Sequence, residues 1–219
     1  MENQRVHRQG EKLILIIICL LGWFALGLQL YLIVNKTIAA NSNAMKGVVN
    51  FFSYFTILTN LLVTVAASSM IFSPKSKAGR FFQRVSVRTA ICAYILIVGI
   101  VYINVLQNVW DPTGAQLLAD VLLHYAIPAI YFLYWLIYVP ANSLAWKNVF
   151  NWLIYPFVYL VYAILRGVFT GWFAYPFLDT NELAGSTVII NCLLIACGFL
   201  LMSLMLLGLK RLTGNLALK

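Results

Sequence analysis

At 219 residues, 63% of them hydrophobic and only 10% charged, with a mean hydropathy of +0.89, the chain lies far outside the range of soluble globular domains. Its formal net charge of +9 does not mark a nucleic-acid partner, because the basic residues sit in short segments flanking apolar runs rather than along a soluble face. No stretch between those runs is long enough for a separate water-soluble domain, so the composition predicts a single integral membrane domain.

Crossing the hydrocarbon takes about 20 apolar residues at about 1.5 Å each. Six segments reach that length, approximately 13–34, 49–72, 88–109, 117–139, 149–170 and 184–209, and predict an all-α bundle of six transmembrane helices. The first follows a basic stretch from Arg5 to Lys12, in the order of a signal peptide. Its apolar part is too long and lacks a small-residue cleavage site, which predicts a retained helix. The second holds Ser53, Thr56, Asn60, Thr64 and Ala67 at a spacing of three or four, one face of a helix. An unpaired polar group in the bilayer core costs several kcal/mol, so this stripe requires partners on neighbouring helices. Cys19, Cys92, Cys192 and Cys197 fall inside apolar runs with no CxxC pair. They read as packing residues, and neither a metal site nor a cofactor is expected.

Lys and Arg set the predicted orientation. Arg5, Arg8 and Lys12, then Lys75, Lys77, Arg80, Arg84 and Arg88, then Lys147, then Lys210, Arg211 and Lys219 all fall on one side of an even-numbered bundle. The other side has Lys36 and Lys46 with Asp111, Asp120, Asp179 and Glu182. By the positive-inside rule both termini are cytoplasmic, in a multi-pass plasma-membrane protein. Trp110, Trp146, Trp152, Trp172 and Tyr175 near helix ends read as interfacial anchors.

With that orientation the second and fourth helices both run inward. Thr56 then lies roughly 10 Å below the outer boundary, and His124, counted from Leu117, at about the same depth. Asn104 and Asn108 on the third helix, Arg166 on the fifth, Asn191 on the sixth, Gln29 on the first and Asp120 one turn above His124 share the outer half. Tyr155, Tyr159, Tyr162 and Arg166 share a face of the fifth. Intramembrane ionisable groups usually mark function, and the set predicts a polar cavity toward the outer leaflet. Each residue also has a purely structural reading. Thr56 can bond back to the preceding turn, His124, Asn60, Asn104, Asn108 and Asn191 can link helices, and Arg166 can reach the interface. The prolines at 128 and 156 read as kinks that widen the bundle.

A hydroxyl needs a base within hydrogen-bond reach to act as a nucleophile, and imidazole is the usual one. Thr56 and His124 supply that pair. Asn60, Asn104, Asn108, Asn191 or Arg166 are candidates to bind substrate or stabilise an oxyanion, and Asp120 is a candidate orienter of the ring. The chain has no GxSxG elbow and no HExxH motif, which argues against those two chemistries.

Three stretches carry a family resemblance: Tyr54-Phe55-Thr56-Ile57-Leu58-Thr59-Asn60, then Leu123-His124-Tyr125 with Pro128, then Tyr155-Pro156 through Arg166-Gly167 to Gly171-Trp172-Phe173-Ala174-Tyr175-Pro176-Phe177-Leu178-Asp179. The chain resembles bacterial members of the family of androgen-induced gene and androgen-dependent TFPI-regulating proteins. The resemblance implies an intramembrane threonine hydrolase of fatty acid esters of hydroxy fatty acids, or of a similar lipid ester, with Thr56 as nucleophile and His124 as its partner. Two other expectations stand beside it: a lipid or small-anion transporter using Arg166 as counter-charge, and a non-catalytic membrane scaffold in which Thr56 and His124 face different neighbours.

Overall fold

The computed structural model describes residues 2–107, 109–141 and 144–216, and no strand forms among them. Ten α-helices follow in order: α1 Glu2–Ala39, α2 Ala44–Phe51, α3 Phe55–Phe72, α4 Lys77–Phe82, α5 Val85–Val101, α6 Gly114–Val121, α7 Ile127–Tyr138, α8 Lys147–Trp152, α9 Ile154–Thr170 and α10 Gly185–Leu216. Short π-helical turns, Tyr102–Leu106 and Leu122–Ala126, extend α5 and join α6 to α7. Six of the resulting helices are long and apolar enough to cross a membrane, as the sequence predicts. The architecture is that of a multi-pass membrane protein.

Three predicted spans are shaped differently from a simple rod. The segment expected as one helix over 49–72 is broken at Phe52–Tyr54, so Ser53 does not share a helix with Thr56. Its carbonyl accepts the Tyr159 hydroxyl at 2.9 Å, and its Oγ donates to the Val49 carbonyl at 2.6 Å and accepts from the Tyr162 hydroxyl at 2.8 Å. Those bonds satisfy Ser53 outside a helical ladder. The fifth span breaks at Leu153 between α8 and α9, because Pro156 has no N–H for the Trp152 carbonyl one turn back. Tyr94 donates its hydroxyl to that carbonyl at 2.6 Å. The fourth span, Gly114–Tyr138, carries its π turn immediately before Pro128.

The core lies where α1, α3, α5, α7 and α10 meet, around fully buried Ile18, Val63, Ile95, Tyr131, Trp135 and Leu206. One end is locked by buried cations. Arg88 donates to Glu11 at 3.2 Å and to the Tyr134 hydroxyl at 3.1 Å. Lys210 donates to the Leu136 carbonyl at 3.0 Å and lies 4.4 Å from the centre of the Trp135 ring. The Thr64 end of the polar stripe meets α1. Thr64 and Ser68 bond back to the carbonyls of Asn60 and Thr64, each at 2.7 Å, and Ser68 also accepts from Trp23 at 3.1 Å and bonds Cys19 at 3.2 Å.

This crossing depends on Gly22, since a Cβ added there would collide with the Thr64 hydroxyl. Gly22→Leu is expected to cost about 1–3 kcal/mol through overpacking, read as a lowered Tm of the detergent-solubilised protein. A Tm equal to that of the parent would contradict the close crossing.

Candidate active site

The break at Phe52–Tyr54 makes Thr56 a first-turn residue. Tyr54 is extended, with φ −86 and ψ 131, and the first bond into the new helix runs from the Leu58 N–H to the Tyr54 carbonyl at 3.1 Å. The amides of Phe55, Thr56 and Ile57 therefore have no carbonyl one turn back, and they point along the positive end of the helix dipole. The Thr56 N–H is met by the Tyr175 hydroxyl at 3.2 Å, which also lies 3.4 Å from Thr56 Oγ1. Burial pushes the Tyr175 phenol upward in pKa, so it stays protonated and can both accept and donate there.

The start of α3 is gripped from α9. Tyr155, Tyr159 and Tyr162, one helical turn apart, reach Thr59 Oγ1 at 3.3 Å, the Ser53 carbonyl at 2.9 Å and Ser53 Oγ at 2.8 Å. One turn further, Arg166 donates to Asn50 Oδ1 at 2.7 Å and stacks 4.1 Å from the centre of the Trp172 ring. Trp172 in turn packs edge-on against Tyr54, centroids 5.7 Å apart.

His124 is held just as closely. Its Nδ1 lies 3.0 Å from the Asp120 carbonyl, and a carbonyl can only accept, so Nδ1 carries the proton and Nε2 presents a lone pair. Tyr102 stacks on the imidazole with centroids 3.9 Å apart and planes 18° apart. The Tyr102 hydroxyl donates to Asp120 Oδ2 at 3.1 Å, as does Trp110 Nε1 at 2.7 Å, while Gln116 Nε2 donates to Oδ1 at 3.1 Å and to Gln29 Oε1 at 2.8 Å. Asp120 thus acts on the ring through its backbone carbonyl and through Tyr102. Its carboxylate is turned to Tyr102, Trp110 and Gln116 and not to the imidazole. Both aromatic partners of this arrangement, Tyr102 and His124, sit in π turns; such turns rotate side chains out of the helical register and recur at functional sites.

Asn60 joins the two halves. Its Nδ2 donates to the Thr56 carbonyl at 2.9 Å and to the Leu123 carbonyl at 3.2 Å. The Ile127 N–H goes to Leu122, and in that i to i+5 register Leu123 would look to residue 128, a proline with no N–H. Asn60 supplies the donor that Pro128 withholds. It is fully buried, and its Oδ1 has no hydrogen-bond partner.

Thr56, 8% exposed, and His124, 9% exposed, both line one cavity of about 560 Å³, together with Gln29, Lys36, Asn50, Tyr102, Asp120 and Tyr175. They make no direct hydrogen bond with one another. Of the other sequence candidates, Asn60 lies in the wall behind Thr56, and Arg166 holds the lining residues Asn50 and Trp172. Asn104 is exposed and bonds to its own helix at Ile100, 2.8 Å. Asn191 donates to the Phe177 carbonyl at 2.9 Å and steadies the loop before α10. Asn108 lies outside the described residues. Sequence reasoning missed Tyr175, Tyr102 and Gln116 as parts of the site, and read Trp110 and Tyr175 as interfacial anchors. The signal available for Tyr175 was an aromatic, proline-punctuated connection too structured for a bare linker. No His, Cys, Asp or Glu cluster suited to a metal forms among the described residues.

If Asn60 is the tie described, Asn60→Leu removes a buried donor from two carbonyls and should destabilise the protein by about 1–3 kcal/mol. Asn104→Leu, at an exposed position, should stay within about 0.5 kcal/mol of the parent. Denaturant or thermal unfolding in detergent compares the two, and equal effects would remove Asn60 from this role. No protein-family model, curated protein or solved structure matches the chain.

Proposed function

We propose that the protein is an intramembrane lipid-ester hydrolase with Thr56 as nucleophile and His124 as acid and base. The observation that carries this reading is that an alcohol on the first turn of a helix and a ring whose Nε2 is left as acceptor open into one cavity. A transporter reading would need Arg166 as a free counter-charge, whereas its guanidinium is held between Asn50 and Trp172. The family resemblance of the Thr56 and His124 stretches points the same way.

In this mechanism Thr56 Oγ1 attacks the ester carbonyl carbon as His124 Nε2 takes the hydroxyl proton. The carbonyl oxygen becomes an oxyanion, stabilised by the Tyr175 hydroxyl and by the positive end of the α3 dipole, both fixed in place before the reaction. Collapse breaks the bond to the alkoxy oxygen, which leaves as an alcohol carrying the proton from His124. A water molecule, deprotonated by the same nitrogen, then attacks the acyl-threonine and releases the carboxylic acid, returning the proton to Thr56. Ester and water become acid and alcohol, with no cofactor required. Asp120, Tyr102 and Asn60 are positioning residues in this scheme.

The distribution of Lys and Arg supports cytoplasmic termini, with the cavity toward the outer leaflet of the plasma membrane. The substrate class is then a lipid ester presented from the bilayer, with fatty acid esters of hydroxy fatty acids as the form the resemblance suggests.

A fluorophosphonate probe, which reports an activated hydroxyl, should label the parent protein. Thr56→Ala should abolish labelling, and His124→Ala should reduce it at least about 100-fold, the scale of a lost general base. Undiminished labelling of Thr56→Ala would overturn the assignment.

A further inference from the structure

A second cavity lies against the first. It measures about 240 Å³ and shares Thr56, Tyr175 and Leu106 with the larger one. Apart from Thr56, Tyr159, Tyr175 and Cys192, every side chain lining it is aliphatic or aromatic. The Tyr159 hydroxyl is already committed to the Ser53 carbonyl. Its walls come from α5 (Ile97, Val101), α9 (Phe157, Leu160) and α10 (Ile195, Phe199), so it is a largely hydrocarbon chamber that meets the polar cavity at Thr56 and Tyr175. Phe157, 65% exposed, and the exposed Ala196 both line it. They belong to membrane-spanning helices, so the chamber opens sideways between α9 and α10, onto lipid.

An ester has two arms, and the two cavities differ in the same way. The larger one presents Gln29, Lys36, Lys46, Asn50 and Gln116, which suit an alcohol and the attacking water. The smaller one suits only a chain of methylenes. We infer that the smaller cavity is the acyl-chain pocket, which receives the fatty acyl arm laterally from the bilayer between α9 and α10 while the alkoxy arm lies in the polar cavity. This assignment rests on the hydrolase reading.

Lipid tails are as apolar as the chamber wall, so moving a chain from bilayer to chamber gives little net driving force. What the chamber provides is position, since a threaded acyl chain sets the carbonyl carbon against Thr56 Oγ1 in a repeatable orientation. Discrimination between chains is therefore steric. The acid product leaves by the route the chain came in, while the alcohol leaves through the polar cavity.

The test compares 4-nitrophenyl butyrate with 4-nitrophenyl palmitate on the full-length protein in nanodiscs. Ala196→Trp narrows the lateral opening and should lower kcat/KM for the palmitoyl ester by at least about tenfold, leaving the butyryl ester within about twofold. Leu193→Trp, on α10 at a position that is exposed but does not line the chamber, should change neither. Separately, a palmitic acid bearing a mid-chain diazirine should photolabel Phe157, Leu160 and Ile195 in the parent and in Thr56→Ala alike, because occupancy does not need the nucleophile. Equal loss on both esters, or labelling spread evenly over all lipid-facing helices, would overturn the acyl pocket. Labelling concentrated in the chamber without any Thr56-dependent turnover would support a chain-binding site there and overturn the hydrolase reading alone.

Discussion

The site depends on the interruption of the second span at Phe52–Tyr54. Were the helix continuous, the amides of Phe55, Thr56 and Ile57 would bond to carbonyls one turn back, and the Thr56 hydroxyl would be one more back-bonding group in a buried wall. With the break, a helix begins inside the bundle with unpaired donors and the positive end of its dipole beside a hydroxyl. Such a start is costly in hydrocarbon unless its groups are met. Here they are met by side chains from distant elements: Tyr159 and Tyr162 on Ser53, and Tyr175 on Thr56. The cost of the break is offset by α9 and by the loop that follows it, and this ties the geometry around the Thr56 hydroxyl to the packing of the fifth span.

The opposite wall uses a second irregularity. Pro128 removes a backbone donor, the π turn at Leu122–Ala126 shifts the register, and Gly99 makes room for the result: a Cβ on Gly99 would stand 2.9 Å from the His124 carbonyl. Asn60 then bonds across to Leu123. The two departures from regular helix are therefore complementary, one starting a helix just before Thr56 and the other leaving the Leu123 carbonyl without its backbone donor near His124, with the buried Asn60 amide bonding a carbonyl on each side. Tyr102 and Asp120 fix the ring face and tautomer from the remaining side.

Much of the framework was legible in the sequence because it follows from hydropathy and length. Six apolar runs give six membrane-length helices, and counting from Val49 and Leu117 brings Thr56 and His124 to one level. The shared face of Tyr155, Tyr159, Tyr162 and Arg166 is likewise a matter of helical period, and those four side chains reach Thr59, Ser53 and Asn50 in order. What could not be read was decided by tertiary contact. The run from Asn50 to Asn60 contains no Gly or Pro, so nothing local announces a break that hydrogen bonds from α9 stabilise. Tyr175 meets Thr56 from 119 positions away, through a loop whose path the local pattern does not specify. Asn104 and Asn191 lie on the expected helices but bond to carbonyls nearby in the chain, a choice that turns on rotation about the helix axis by a fraction of a turn. Asp120 contacts the ring through its carbonyl rather than through the carboxylate that the sequence suggested.

In the proposed hydrolase Thr56 and His124 act as one unit across that cavity, and a double-mutant cycle on ester turnover addresses this directly. If the alcohol has no function without the ring, Thr56→Ala, His124→Ala and the double variant should fall to a common residual rate, a grossly non-additive result. Losses that multiply, so that the double variant is slower than either single variant by the full product of their effects, would show two independent groups and contradict it.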